Sequence, residues 1–573
     1  MPKIEVHQDA FYNYLGTRMP EDTLEALLPV AKAELDEGVD ENGIVKFELN
    51  DTNRPDLWST AGLARQLRIY RGGSTPEYGF FSHPGAMQDA ENRKVIVDPA
   101  LQSVRPFIAA FGVTGKPIDE ATLDDLIQTQ EKLCWNFGRK REAIAMGVYR
   151  TDLMEYPVKY VAADPLKTRF VPLGMERELN LREIIAEHPK GQEYGGIVSG
   201  FSQMPFLTDS RDEVLSFPPI INSARIGAVE TGDNNLFVEL TGTDLPSLLL
   251  ACSIVACDLA DAGFTILPVQ VDYPYDTPLG RSMVTPLYFQ EPQTAEVTYI
   301  GRLLGQEISA GDAVGALSRM GVSAEAKERA LEVMPPPYRN DFLHAVDIVE
   351  DVMIGMDMDT FKPEVPSDFT VGRLSAAEQF TRKVKSLMVG LGFQEMIFNY
   401  LGSGKEYVER MYPEGTWEDE AARLVRVANP ISENYEFVRG SILPSLLAAE
   451  CVSANAVYPH RIFETGKVCR VDGSDNYGSV TVNSVGFLSA ETGADFNMVN
   501  SQVTALLYYV SATHTLVESA DPRFIPGRAA DIVVNGTTVG CFGEIHPAVL
   551  EKWGIQVPCA GGEANLDFLL SVR

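Results

Sequence analysis

Breaks rich in proline and turn residues constrain the fold of this chain more than any other feature of its sequence. The stretch DYPYDTPLG (272–280) is rich in turn formers, MPPPYR (334–339) carries three prolines in a row, and Pro363 and Pro366 follow. Proline lacks the backbone N–H that a helix interior or a central strand needs, so each break ends a structural element. Because 573 residues are also too many for a single hydrophobic core, we expect three or four domains of α+β class.

The segment before about residue 85 mixes helix and strand. Val45, Phe47 and Leu49 alternate with charged residues, a pattern typical of a half-buried strand. Pro20 suits the first position of a helix, and apolar residues follow it at helical spacing. These patterns predict an N-terminal α/β module.

Strands and helices alternate between about residues 90 and 275. VIVDP (95–99) and FVEL (237–240) predict strands, and residues 122–138 predict a helix with apolar residues in period. The basic run RKR (139–141) follows that helix. Basic residues there complement the negative end of the helix dipole, so we interpret the run as structural rather than as an RNA-binding patch.

The two remaining segments differ from each other. In the segment that ends near residue 360, Ser309 caps a short helix, residues 324–331 predict a second, and Asn340 opens a long third helix. This pattern predicts a small helical domain. The stretch from about residue 370 predicts an antiparallel sheet with helices, since Asn535-Gly536 between two apolar runs is typical of a two-residue hairpin.

The net charge of −32 argues against broad, non-specific binding of nucleic acid, which depends on Lys and Arg neutralising phosphates. Contact with RNA would then need a local basic patch or a partner protein. An acidic surface that keeps a large protein soluble is the simpler interpretation, and on charge alone we favour it.

The chain shows no sign of a membrane or secretory location. The start, MPKIEVHQDAF, lacks a basic region followed by an apolar run. The longest apolar stretch (245–257) is too short to cross a bilayer, which takes about 20 apolar residues. The 7 cysteines are irregularly spaced without a Cys-x-x-Cys pair, which indicates thiols rather than a disulfide framework or a zinc site. We expect a cytoplasmic protein.

Acidic residues concentrate in the predicted helix NDFLHAVDIVEDV (340–352). Asp347, Glu350 and Asp351 share one side of the helix, and Asp341 lies in its first turn. Such carboxylates could hold a hard cation such as Mg²⁺. They equally suit a solvated acidic face with an acid at the positive end of the helix dipole.

Several familiar catalytic motifs are absent from the sequence. There is no Gly-x-x-x-x-Gly-Lys-Ser/Thr loop, no Gly-x-Ser-x-Gly elbow and no zinc spacing among the 7 histidines. A self-sufficient covalent or metal-dependent hydrolase therefore has little support.

Several longer stretches resemble the β subunit of phenylalanyl-tRNA synthetase, in its short archaeal and eukaryotic form. They keep the order of that family and run through nearly the whole chain: NRPDLWSTAGLAR (53–65), PPPYRNDFLHAVDIVEDV (335–352), NPISENYEFVRGSILPSLL (429–447), FIPGRAADI (524–532) and GEIHPAVLEKWGI (543–555). By this resemblance we expect a chain without the C-terminal anticodon-binding domain and the inserted nucleic-acid-binding barrel of the long form.

The resemblance implies four domains: an N-terminal module (1–85), a tRNA-editing domain (86–275), a small helical B5-type domain (282–360) and a class II synthetase-like core (366–573). It also implies an α subunit that binds ATP and phenylalanine, an (αβ)₂ heterotetramer, and tRNA(Phe) as substrate. The core should hold no catalytic residue for aminoacylation, because RIFETG (461–466) matches only the strand part of the second class II motif.

The resemblance also implies two sets of site residues. Its magnesium ligands fall on Asp341, Asp347, Glu350 and Asp351, and its pocket for hydrolysing mischarged Tyr-tRNA(Phe) falls on Leu207, Ser216, Glu239 and Thr241. A pocket for phenylalanine rejects tyrosine only about a hundredfold, so a second site must grip the extra hydroxyl. The family usually has Asp at the position of Glu239. An editing-deficient scaffold subunit and a free-standing aminoacyl-tRNA deacylase therefore remain as alternatives.

Overall fold

A computed structural model of the chain describes residues 2–84, 90, 92–453, 455–474 and 476–572. The chain forms two compact units, Met1–Glu364 and Val365–Arg573. The predicted division between residues 360 and 366 spans the point where these units meet, whereas the predicted boundary at residues 85 and 86 lies outside the described residues.

The first unit begins with a small antiparallel sheet flanked by helices. The alternation of Val45, Phe47 and Leu49 is confirmed, because these side chains are buried while their strand neighbours are half-buried. Pro20 precedes its helix rather than opening it. The elements are β1 (Lys3–His7), α1 (Gln8–Leu15), α2 (Glu21–Leu27), β2 (Ala33–Glu37), β3 (Ile44–Leu49) and α3 (Thr60–Tyr70), and the sheet order is β1-β3-β2.

A ten-stranded sheet follows. Its strands and the surrounding helices are β4 (Lys94–Val97), β5 (Phe107–Thr114), α4 (Glu120–Lys132), β6 (Ile144–Arg150), β7 (Val158–Ala163), β8 (Arg169–Phe170), β9 (Leu179–Asn180), α5 (Leu181–Glu187), α6 (Pro189–Tyr194), β10 (Met204–Thr208), β11 (Val214–Phe217), β12 (Ile221–Asn222), β13 (Asn235–Gly242), α7 (Leu245–Asp261), β14 (Thr265–Thr277) and β15 (Gly280–Thr285). The strand order is β12-β11-β10-β7-β4-β14-β5-β13-β6, with β15 beside β14 and the pair β8-β9 separate.

The segment 272–280 does not mark a boundary, contrary to the sequence prediction. Most of it belongs to β14, which pairs with β4, β5 and β15, and the turn is confined to the hairpin between Thr277 and Gly280. Burial of alternate side chains along β14 outweighs the turn preference of its Asp and Pro residues.

Helix α7 accounts for the longest apolar stretch of the sequence. It packs on β5, β13 and β14, and nearly all of its side chains are buried. Burial on all sides explains why this helix has no polar face. No helix among the described residues, α7 included, has the length and apolar character needed to cross a membrane.

The last part of the first unit is an α+β structure, whereas the sequence predicted a small helical domain. Residues 324–331 lie in a hairpin, because burying Leu331 and Val333 on one face of a sheet outweighs the helix preference of the Ala, Glu and Lys residues around them. Helix α9 is capped by Ser309 as predicted. The elements are β16 (Gln293–Glu296), α8 (Val297–Leu304), α9 (Ala310–Arg319), β17 (Ser323–Lys327), β18 (Ala330–Met334) and α10 (Ala345–Gly355), with sheet order β16-β18-β17.

The second unit is built on a seven-stranded, mostly antiparallel sheet with helices. Its predicted hairpin is confirmed, since Val534 pairs with Thr537 while Asn535 and Gly536 both have positive φ angles. The elements are α11 (Ala376–Gly390), β19 (Gln394–Glu395), β20 (Leu401–Gly402), α12 (Trp417–Ala422), β21 (Phe437–Val438), α13 (Leu443–Val452), β22 (His460–Val471), β23 (Ser479–Ala490), α14 (Phe496–Tyr509), β24 (Thr515–Glu518), β25 (Phe524–Val534), β26 (Thr537–Ile545), α15 (Pro547–Trp553), β27 (Cys559–Asn565) and α16 (Leu566–Ser571). The sheet order is β19-β22-β23-β27-β26-β25-β24.

Candidate functional site

The four residues predicted to form a pocket lie on three strands of the ten-stranded sheet. Leu207 on β10 pairs directly with Ser216 on β11. Glu239 and Thr241 are two residues apart on β13, so their side chains leave the same face of the sheet. All four side chains are buried, Glu239 being 2% exposed.

Tyr149 on β6 connects two of these residues, a role that no pattern in the sequence indicates. Its hydroxyl oxygen lies 2.7 Å from Oε1 of Glu239 and 2.8 Å from Oγ of Ser216. With one proton to give, the phenol donates to the carboxylate and accepts from the serine hydroxyl. Gly147 faces Glu239 across the strand pair, and a Cβ there would lie 2.1 Å from the Tyr149 hydroxyl. The lack of a side chain at Gly147 therefore leaves the room in which the phenol and the carboxylate meet.

The carboxyl group of Glu239 has a raised pKa and an oxygen that is unpaired within the described residues. Burial raises its pKa from 4.5 to about 7, against the opposing effects of the Tyr149 hydroxyl and the positive charge of Arg105. Its second oxygen, Oε2, is buried and has no hydrogen-bond partner among the described residues. A buried acceptor without a donor costs about 1–3 kcal/mol, and a ligand hydroxyl could recover this energy.

Thr241 serves a different purpose from Glu239. Its hydroxyl oxygen accepts a hydrogen bond of 3.0 Å from Nε of Arg105, whose Nη2 also donates to the Thr241 carbonyl at 2.6 Å. Arg105 is itself buried, and burial lowers its pKa. The structure therefore brings Leu207, Ser216 and Glu239 together and places Thr241 beside them as an anchor for a buried cation.

The acidic residues near α10 meet a protein cation instead of one another. Asp341 accepts bonds of 2.9 and 2.6 Å from Nε and Nη2 of Arg339, and Asp351 accepts one of 3.2 Å from the same Nη2. Arg339 is 2% exposed, and its charge lowers the pKa of Asp341 to about 2 although burial alone would raise it. These three residues, called here the Arg339 cluster, form a buried and fully paired ionic group.

The other two acids of this set point elsewhere. The carboxylate of Asp347 accepts bonds from the N–H groups of Leu343 (2.8 Å) and His344 (2.6 Å), so the helix begins at Ala345 and not at Asn340 as predicted. Glu350 is exposed and lies 3.0 Å from Nζ of Lys32.

The four predicted magnesium ligands do not fit one shared ion in this arrangement. The guanidinium of Arg339 occupies the place between Asp341 and Asp351, where a cation would lie. Among the described residues no group of three or more His, Cys, Asp or Glu side chains converges on a possible metal position.

In the second unit, RIFETG (461–466) lies on β22, and its Glu464 is buried. The carboxylate accepts hydrogen bonds of 2.6 and 3.0 Å from Arg439, which is fully buried. The acid of this stretch is therefore neutralised inside the fold, a structural arrangement.

Two family models match the C-terminal part of the chain, and known proteins match its full length. The model described as "Phenylalanyl tRNA synthetase beta chain CLM domain" matches residues 362–566, and "tRNA synthetase B5 domain" matches residues 293–358. The chain is 46% identical to the "Phenylalanine--tRNA ligase beta subunit" of Borrelia turicatae over 572 residues and 46% identical to that of Treponema pallidum over 609 residues, and in both cases 100% of each chain is covered.

A solved structure is similar to part of the chain. It is an N-terminal fragment of the phenylalanyl-tRNA synthetase β subunit from Pyrococcus horikoshii, with 35% sequence identity and a TM-score of 0.58. The similarity covers 62% of this chain and 99% of the fragment.

Proposed function

The chain belongs to the phenylalanine–tRNA ligase β subunit family, and from this membership we propose that it supports charging of tRNA(Phe) and hydrolyses tyrosine wrongly attached to that tRNA. It is a component of an aminoacyl-tRNA synthetase, which implies an α subunit and tRNA as partners. We assign aminoacylation to the α subunit, in a cytoplasmic (αβ)₂ heterotetramer, and assign to residues 366–573 the role of a class II-like core without catalytic residues.

One observation carries the editing half of this proposal: the buried Oε2 of Glu239 has no donor in the part of the chain that the structure describes. The phenol of a tyrosyl group can donate to it, whereas a phenylalanyl group would leave it unpaired. Sites built to bond a hydroxyl reject the analogue without it by a factor of roughly 10⁴–10⁵. Glu239 can therefore select Tyr-tRNA for hydrolysis and spare Phe-tRNA, even though the family usually has the shorter Asp there.

Tyr149 and Ser216 position this acceptor. The Tyr149 phenol holds Oε1, which leaves Oε2 as the free acceptor atom. Since the surrounding side chains are buried, a tyrosyl group enters only if neighbouring side chains move. The ionised form of Glu239 accepts the phenol proton, so binding of the tyrosyl group should strengthen as the pH rises through about 7.

The magnesium ion implied by the family resemblance stays a prediction. Asp341 and Asp351 would have to release Arg339 before they could bind a metal, so no step proposed here passes through the ion. Calorimetric titration of MgCl₂ into the chain, with and without the α subunit, tests whether partner binding makes the carboxylates available.

Deacylation of Tyr-tRNA(Phe) by the co-expressed complex tests the proposed function. Glu239→Gln keeps the shape and removes the charge, and we expect it to slow tyrosine release at least tenfold at pH 8 with aminoacylation unchanged. Glu350→Gln removes a charge from an exposed acid and serves as the matched control. Full deacylation by Glu239→Gln would contradict the proposal.

Two further measurements separate the alternatives. Tyrosine release by the isolated chain, shown to be free of partner by gel filtration, would indicate a free-standing deacylase. Normal charging by a wild-type complex that releases no tyrosine would indicate an editing-deficient scaffold. Phenylalanylation by the isolated chain would overturn the division of labour between the subunits.

A further inference from the structure

A cluster of basic and aromatic side chains follows α4 in the first unit, although the chain as a whole carries a net charge of −32. Its exposed or half-buried members are Lys132, Trp135, Arg139 and Lys140, called here the basic–aromatic surface. Among the described residues, its three cations form no ion pair with a carboxylate. Most of the other surface cations near acids are paired, so this surface retains its positive charge.

The backbone here differs from the prediction that 139–141 complements the end of a helix. Arg139, Lys140 and Arg141 have φ angles of +51°, +54° and +70°, three consecutive left-handed residues without a glycine. Nη1 of Arg141 donates to the carbonyl oxygens of Pro219 and Ile220 instead of the last carbonyls of α4. The turn is closed by the backbone N–H groups of Lys140 and Arg141, which donate to the carbonyl oxygens of Trp135 (2.9 Å) and Cys134 (2.8 Å).

Aromatic rings lie among these cations. Trp135 is 45% exposed, and Nζ of Lys140 lies 5.2 Å from the centre of its ring. Tyr194 meets Trp135 edge to face at 6.4 Å and carries the guanidinium of Arg141 at 4.4 Å on its own ring. Trp135 is therefore held by its neighbours with part of its ring open to a stacking partner.

A cavity of about 1190 Å³ adjoins the surface. Lys132, Trp135 and Arg139 line one part of it, and Asp244 is the only carboxylate among its described lining residues. Asp244 already accepts a bond from the N–H of Ser247, which occupies one of its oxygens. The volume exceeds the roughly 300–1,000 Å³ of a small-molecule pocket, so the cavity has room for a larger ligand.

A buried donor in the same cavity is unused. The indole N–H of Trp58 has no acceptor among the described residues, although the side chain is 1% exposed and lines the cavity. An acceptor oxygen of a ligand would satisfy this group if neighbouring side chains moved to admit it.

The surface is connected to the candidate pocket by Arg105. Nη1 of Arg105 donates to the carbonyl of Glu142, directly after the basic turn, and its Nε donates to Thr241. One buried side chain therefore joins the end of the basic turn to the strand that carries Glu239, and Thr243 and Asp244, which follow that strand, also line the cavity.

We propose that the basic–aromatic surface binds single-stranded RNA, the form in which the amino-acid-bearing end of a tRNA can reach the pocket. The inference rests on the proposed function. Unpaired cations contact the phosphates and the open ring of Trp135 stacks on a base, the combination by which proteins hold single strands without reading their sequence.

Fluorescence anisotropy of the full chain with a labelled single-stranded RNA of about eight nucleotides tests this proposal. Trp135→Ala should weaken binding roughly tenfold, and Trp135→Phe, which keeps a ring, should stay within about threefold of wild type. Lys132→Gln with Arg139→Gln should also cost roughly tenfold and should reduce the slope of log K against log salt by about 1.4.

The matched control is Lys167→Gln with Arg177→Gln, which removes the same charge from exposed positions elsewhere in the unit. Its affinity for the RNA should stay within about twofold of wild type. Equal losses in the control and the surface variants would overturn the proposal, as would no RNA binding by wild type. Tighter binding of duplex RNA, or displacement of the RNA by polyglutamate at equal charge, would overturn it too.

Failure of this inference can be distinguished from failure of the proposed function. Glu239→Gln should bind the RNA like wild type, because Glu239 lies outside the surface. If the surface variants keep full RNA affinity while editing by the complex depends on Glu239, only the proposed RNA-binding role of the surface is ruled out. If the surface variants lose RNA affinity but the wild-type complex shows no editing, only the proposed editing function is ruled out.

Discussion

Two buried acidic sites in the first unit make an instructive comparison. In the Arg339 cluster, one guanidinium bonds to both Asp341 and Asp351, and each carboxylate has a charged partner. At Glu239, one oxygen bonds to Tyr149 and the other has no donor among the described residues. The first site lowers the pKa of Asp341 to about 2, and the second raises that of Glu239 to about 7.

The difference separates acids that hold the fold together from an acid that can receive a ligand. A paired buried carboxylate has no free capacity, and breaking the pair exposes an uncompensated charge. A half-paired one retains an unmet hydrogen bond, which a substrate group can satisfy. The sequence alone does not separate the two sites, since each acid is followed directly by an apolar residue.

The largest expected effect breaks the paired site. Arg339→Met leaves Asp341 and Asp351 buried without a counterion, and we expect a loss of about 3–5 kcal/mol in the free energy of unfolding. Denaturant unfolding of the chain measures it. Arg281→Met removes an exposed partner of Asp276 and should leave the free energy of unfolding nearly unchanged, because solvent screens that pair. A similar small loss for Arg339→Met would show that the cluster is not held by its charges.

The second prediction concerns the pH dependence of the half-paired site. Because the folded-state pKa of Glu239 is about 7 and its ordinary value is 4.5, the folded form binds the proton more tightly. Protonation of Glu239 therefore contributes to the free energy of unfolding. This contribution is fully present below pH 4.5 and is lost as the pH rises towards 7. Between pH 5 and 8, wild type should therefore lose roughly 2–3 kcal/mol relative to Glu239→Gln.

Comparing these two proteins at each pH cancels the contribution of Asp258, another buried acid whose pKa burial raises to about 7. A stability difference that stays constant from pH 5 to 8 would show that Glu239 titrates in its ordinary range.

A smaller effect is expected at the phenol that holds Glu239. Tyr149→Phe removes the donor to Oε1, which should cost about 1–3 kcal/mol at pH 8, where Glu239 is ionised. The cost should shrink at pH 6 as the carboxyl becomes neutral. Tyr273→Phe removes a buried hydroxyl that donates to a backbone carbonyl, and its cost should not change with pH. Equal pH behaviour of the two variants would argue against the Tyr149–Glu239 pairing.

The smallest effect is expected at Glu350, the exposed member of the acidic set. Its contact with Lys32 is solvated, and Lys32 also pairs with Asp51, so Glu350→Gln should change the free energy of unfolding by less than about 0.5 kcal/mol. Thermal unfolding of Glu350→Gln and of Asp351→Asn, which changes a buried acid, compares the two positions. Equal losses from the two variants would show that burial does not distinguish these acids.

Patterns in the sequence were enough to predict the family, the strand of FVEL (237–240), the helix capped by Ser309 and the hairpin at Asn535-Gly536. These features rest on local patterns: alternating burial, a side-chain cap and a turn that needs positive φ angles. Residues 324–331 and 272–280 could not be predicted in the same way, because burial in a sheet with distant strands outweighed their local preferences.

Which buried acids have a hydrogen-bonding or ionic partner depends on the tertiary structure and cannot be predicted from the sequence. Tyr149 is 90 residues from Glu239 in the chain, and Arg339 is 12 residues from Asp351. Arg339 also lies before a helix that begins later than the sequence predicts. The sequence shows which carboxylates are present but not which donors the fold delivers to them. The pKa of a buried acid depends on those donors and on its distance from water, and both are set by packing between distant segments.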